Sequence, residues 1–305
     1  MTINLPINEG VSSTRHHYLP QFYLENFCRP DGTFEVYDKK YSKFKSSPQS
    51  PATVFFEKDK NTIKLNNKKT DFIEKYYSQL ETTFSELFHL IKNGISQSEL
   101  LNSDGISLLK KYLAIQFWRL PILDGFAEQF ILSRTLNELK QFCQVTVPPL
   151  NDEEIFKLIQ EDAGFRHFFR CFMLPLCTFS LNGQIPDNVR WLVLDVEEPQ
   201  LWSNLLISDT PFIFKKPENM FNFSGSFIFP LSNTKLLVSK HRLNSRTFYD
   251  ATFSTKISIY FFLQSNRYVV ATDKNYLVQI IELSKSYEGI AGFLKLQSEI
   301  FEYIE

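Results

Sequence analysis

The sequence predicts an α+β protein. A helical N-terminal half is packed with a small, mostly antiparallel sheet from the middle and C-terminal part, and the C-terminus is helical. Three observations carry this. From about residue 70 to 175, apolar residues recur at helical spacing. From about 185 to 240, the apolar runs are short, β-branched or aromatic, and bounded by turns. The two blocks follow one another rather than alternating, which argues against a doubly wound parallel sheet.

The elements follow in order. Residues 1–14 form a polar tail without the apolar centre of a signal peptide. Residues 15–305 read as one domain. Pro20 suits a first helical position, where its missing N–H costs nothing. Pro30-Asp31-Gly32 is a turn, and Thr33 to Tyr37 alternates as a strand does. Residues 39–69 form a basic loop, in which nine lysines oppose only Glu57 and Asp59. Asp71 and Glu74 open a helix whose apolar positions run from Ile73 to Ile91, and Gly94 ends it. A second helix starts near Asp104 and stops at Pro121. A third runs from about Ile122 to Phe142. Asn151 caps an acidic-fronted fourth, and Pro175 closes the block. Short strands are expected at Val189–Val196, Leu205–Ile207, Phe212–Phe214, Phe227–Phe229 and Lys235–Ser239. Lys256–Gln264 fits a strand or a buried helix. Residues 275–304 are helical.

The composition excludes several classes. The net charge of −1 gives no global pull toward nucleic acid or membrane. Only 10 glycines are present, and neither common glycine-rich phosphate cradle occurs. The 4 cysteines form no Cys-x-x-Cys pair and no framework, which fits a reducing cytoplasm. Cys171 and Cys177 are too far apart for a zinc hook. No apolar run is long enough to cross a bilayer.

Polar residues of site type stand at five places. Arg15-His16-His17 precede a helix, and alternation points one imidazole inward and the other outward. Gln116 lies within the apolar stripe of the second helix, and Arg119 follows in its last turn, where it either clamps an anion or complements the helix end. Glu81 borders the stripe of the first helix, on the same side as Glu74. Ser208-Asp209-Thr210-Pro211 either delivers a carboxylate to a sheet edge or closes an Asx turn. Lys39, Lys40, Lys43 and Lys45 interleave with Tyr41 and Phe44, as in nucleic-acid contacts. His167, among Phe165, Phe168 and Phe169, reads as a packed residue.

These segments together resemble the bacterial domain-of-unknown-function family 4238. The resemblance rests on His17-Tyr18-Leu19-Pro20-Gln21-Phe22-Tyr23-Leu24-Glu25-Asn26-Phe27, the strand Phe34–Asp38, Gln116-Phe117-Trp118-Arg119-Leu120-Pro121, Ser208–Pro211 and Phe229-Pro230-Leu231-Ser232. It spans roughly residues 15–270 and implies no particular activity.

The leading expectation is a cytoplasmic hydrolase acting on a phosphodiester. His16, His17, Gln116, Arg119 and Asp209 form its site. A divalent metal on His17, Asp209 and Glu81 is the cofactor this implies. The rival is a module without chemistry that binds nucleic acid or an acidic protein through Lys39, Lys40, Lys43 and Lys45.

Overall fold

The computed structural model of the chain describes residues 14–65, 68–142, 151–181, 189–197, 204–216, 223, 225–240 and 247–305. The expected tail, apart from Thr14, lies outside them. The fold is α+β, and its last segments are helical. Two compact units divide the chain. One holds residues 1–18, 56–84 and 107–183; the other holds 19–55, 85–106 and 184–305.

The first unit is mainly helical. Its helices are the N-terminal part of Phe72–Lys92, most of Ser103–Arg119, then Asp124–Leu132, Leu136–Phe142, Asp152–Glu161 and Ala163–Phe168, a π-helical turn Phe169–Met173, and Leu174–Leu181. Strand Arg15–His17 pairs antiparallel with Phe56–Lys58, and Ile63–Leu65 with Lys68–Thr70. Asn151 accepts the Glu154 N–H while Glu154 accepts the Asn151 N–H, the reciprocal cap the sequence predicts.

Two helical expectations change. The helix expected over 122–142 is two helices. Thr135 and Glu138 cap each other's backbone N–H groups, so a new helix starts there. Pro175 does not end the block. It lies just after the π-helical turn Phe169–Met173, within helical backbone that runs on to Leu181. Cys177 is disulfide-bonded, whereas the cysteine usage predicts reduced thiols.

The second unit carries two sheets. One has the strand order Phe248–Tyr249, Arg190–Val196, Lys235–Lys240, Phe227–Pro230, Ile213–Phe214, antiparallel except for its first, parallel pair. The other has the order Lys43–Phe44, Glu35–Asp38, Tyr268–Ala271, Ile207–Ser208, antiparallel throughout. The N-terminal strand thus joins a C-terminal one. Helices Ala251–Gln264, Lys274–Ser284 and Gly289–Ile304 share an apolar core with these sheets around Ile228, Val269, Ile257, Leu277 and Ile300. The ambiguous stretch 256–264 is helix because Asp250 caps it, its carboxylate accepting the Phe253 N–H at 2.8 Å. Among the described residues, no helix is long and apolar enough to cross a membrane.

The basic stretch is folded. Short helical turns at Lys39–Tyr41 and Pro51–Thr53 alternate with the strands, and the boundary between the units falls at residue 55.

Candidate functional site

In the first unit, strand alternation buries His16 completely and leaves His17 half-buried against the Phe56 ring. His16 Nδ1 accepts the Asn61 N–H at 2.7 Å, and the Asn61 amide donates to Glu74 at 2.7 Å. A backbone donor on Nδ1 makes that nitrogen the acceptor and selects the tautomer that carries its proton on Nε2. Gln116 donates to the Tyr18 carbonyl at 2.7 Å.

Arg119 donates to Glu81 at 2.8 Å and lies 4.5 Å over the Tyr77 ring. The Tyr77 hydroxyl in turn donates to the Cys171 carbonyl at 2.7 Å. Burial works against the Arg119 charge, but Glu81, Tyr77 and Glu74 outweigh it and hold the guanidinium protonated. His16, Glu74, Glu81, Gln116 and Arg119 therefore all lie in this one unit, each engaged by a named partner.

Next along the unit, Lys60 bridges Glu57 at 2.9 Å and Asp124 at 2.7 Å. Arg170 bonds Asp124 and donates to the Leu120 carbonyl at 2.8 Å. Asp124, Glu128, Ile131, Arg166, His167 and Arg170 line a cleft of about 240 Å³. Cys171 stands behind His167, its sulfur 3.7 Å from Nε2. Sequence reasoning treated this histidine as packing; the signal it passed over is the i, i+4 spacing of His167 and Cys171.

In the second unit, Asp209 is buried and spends both oxygens on backbone. Oδ1 accepts Asn266 N–H at 2.9 Å; Oδ2 accepts Arg267 N–H at 2.6 Å and Tyr268 N–H at 3.3 Å. Burial raises its pKa, and the three N–H groups and Lys39 oppose that rise. Asp209 thus pins the turn that leads from helix Ala251–Gln264 into strand Tyr268–Ala271. Lys39 donates to the carbonyls of Phe262 at 2.7 Å and Ser265 at 2.8 Å, at the end of that helix. Burial lowers its pKa.

Four further cations of this unit, Lys40, Lys43, Lys45 and Arg267, gather around the Lys43–Asp38–Tyr268 end of the second sheet. Lys40 and Lys43 each lie 5.6 Å from the centre of the Tyr41 ring, which is 57% exposed. Lys43, Asp38 and Tyr268 form one cross-strand row. Lys45 lies 5.7 Å and Arg267 4.5 Å from the Tyr268 ring, and both approach Asp38, at 3.8 and 3.6 Å. Arg267 joins this group from a segment more than 200 residues away, which sequence reasoning did not see. Among the described residues, no group of three or more His, Cys, Asp and Glu could hold a metal ion.

These features define an α+β protein whose signature polar residues are tied into its own backbone and ion pairs. The chain belongs to the family described as protein of unknown function (DUF4238), whose model matches residues 15–275. No curated protein and no solved structure matches it.

Proposed function

We propose that the chain binds single-stranded nucleic acid through the edge formed by Lys40, Tyr41, Lys43, Lys45 and Arg267. One observation carries this: a cationic hairpin and a cation from the distant 267 turn meet around aromatic rings at one end of the sheet. Cations neutralise phosphates, and the exposed Tyr41 ring offers a stacking platform for a base. Lys39, expected to take part, is occupied in capping a helix, so the footprint moves outward from it. Asp38 offsets one of the four cations. With about three effective phosphate contacts, log affinity falls against log salt with a slope of about −2, or about 20-fold between 50 and 200 mM.

The test is fluorescence anisotropy of a labelled single strand across a salt series. The proposal expects that slope, a flatter one in Lys43→Ala and Arg267→Ala, and weaker binding in Tyr41→Ala. Salt-independent binding, or no loss in these variants, overturns it. A cytoplasmic location goes with such a partner. The Cys177 disulfide stands against it, because such bonds persist in oxidising compartments.

The phosphodiesterase is the second reading. It is favoured by the grouping of a buried Arg119 with the partly exposed Glu81 and Glu74. It expects divalent-metal-dependent cleavage of the bound strand, abolished in a His17→Ala variant that keeps the wild-type melt.

A further inference from the structure

Two free cysteines are described, Cys28 and Cys171, and the usual criteria rank them in opposite ways. Cys28 is half-exposed. Burial of its thiol, with Glu25 nearby, pushes its pKa up to about 12. Cys171 is buried, and burial alone would push it up as well. Here the neighbouring charges win, and the thiol ends below its ordinary value.

The surroundings explain this. His167 lies one helical turn before Cys171. The sulfur stands 3.7 Å from Nε2 and 3.9 Å from Nδ1, beside the ring rather than in line with one N–H. The contact is therefore largely that of two charges. The imidazole also donates to the Lys60 carbonyl, so its cation has a second acceptor. Arg170 and the Lys60 ammonium add positive charge to the same place, offset in part by Asp124, which pairs with both, and by Glu57, which pairs with Lys60. Tyr77, which also faces the group, has its pKa raised by burial and stays neutral. Cys171 lies within the π-helical turn Phe169–Met173, a distortion that occurs often at functional sites. His167, in contact with the sulfur, lines the 240 Å³ cleft, while Cys171 itself is buried and outside that lining.

We propose that Cys171 is a peroxide-reactive site, a thiolate paired with the His167 imidazolium behind a cleft that admits hydrogen peroxide. The sulfur lone pair attacks one peroxide oxygen. An S–O bond forms and the O–O bond breaks. The departing hydroxide takes the imidazolium proton and leaves as water. The products are a Cys171 sulfenic acid and neutral His167; sulfur is oxidised and peroxide reduced. The positive charges that favour the thiolate also favour the leaving hydroxide.

The test exposes the full chain to hydrogen peroxide, removes the excess with catalase, and unfolds the protein in dimedone. Peptide mass spectrometry then reads which cysteine carries the label. At pH 7 the label is expected on Cys171 at least about tenfold faster than on Cys28, despite the greater exposure of Cys28. The Cys171 labelling rate is expected to titrate at a lower pH than that of an ordinary thiol. His167→Gln, shown folded by its thermal melt, slows it about tenfold. Label on Cys28 first overturns the proposal. So does a Cys171 rate that climbs through pH 8–9 as an ordinary thiol's does, a measurement that needs no variant.

Discussion

Gln116 donates its side-chain amide to the main-chain carbonyl of Tyr18 at 2.7 Å, across 98 residues of chain. Two segments that look like separate site motifs are thus two halves of one buried bond. Gln116→Leu removes the donor, keeps the volume, and takes this hydrogen bond from the Tyr18 carbonyl. A loss of about 1–3 kcal/mol is expected in denaturant unfolding. No loss in that variant would show that the bond contributes nothing net.

Arg119 and Glu81 form an ion pair with one end buried and the other about a third exposed, which reduces the strength of the pair through solvent screening. The asymmetry makes the two single changes unequal. Arg119→Met leaves a partly solvated carboxylate, whereas Glu81→Gln leaves a buried guanidinium. The second change is expected to cost more, at about 2–3 kcal/mol, short of the full range for a wholly buried pair. The double variant is expected to lose less than the sum of the two. Strict additivity across this cycle would mean the charges do not couple.

Asp209 separates charge from hydrogen bonding. Its carboxylate accepts three backbone N–H groups, yet burial raises its pKa, so the fold tolerates the neutral form better than water does. Asp209→Asn keeps one acceptor oxygen and removes the buried charge; Asp209→Ala leaves all three donors open. Stability is expected to fall in the order wild type, Asn, Ala, with Ala about 3 kcal/mol below wild type. The sign with pH follows. A carboxyl whose folded pKa is raised contributes stability below its unfolded pKa, and that contribution fades as pH rises through the folded value. The gap between wild type and Asp209→Asn is therefore expected to narrow from pH 4 to 7. A gap that widens over that range contradicts the raised pKa.

What the sequence made legible were features with a local cause. The reciprocal cap at Asn151 and Glu154, the positive φ of Gly94 behind the first long helix, and the opposite facing of His16 and His17 all follow from nearest neighbours. Pairings that need distant segments were not legible. Glu35–Asp38 reads as a strand, but nothing within it says that it lies beside Tyr268–Ala271. Arg119 reads as a clamp for anions, but its carboxylate partner sits 38 residues earlier on another helix. Polar residues beside prolines looked like chemistry because buried backbone and catalytic sites call for the same residue types. His167 and Cys171 show a different limit. The aromatic neighbours place the histidine in packed surroundings, and the i, i+4 spacing is what brings it against the Cys171 sulfur.

Lys39 and Lys43 share a lysine-rich stretch but are expected to behave oppositely. Lys39 donates to main-chain carbonyls at the end of helix Ala251–Gln264, and burial lowers its pKa. Lys43 is exposed beside Tyr41. Lys39→Met is expected to destabilise the fold by about 1–3 kcal/mol, because carbonyls lose a charged donor. It is expected to leave the salt slope of binding unchanged. Lys43→Ala is expected to be neutral in stability and to reduce the slope by about 0.7, the contribution of one phosphate contact on a single strand. Measuring both quantities in both variants separates a structural lysine from a binding one. If Lys39→Met flattens the slope while its melt stays at the wild-type temperature, the assignment of the two lysines is reversed.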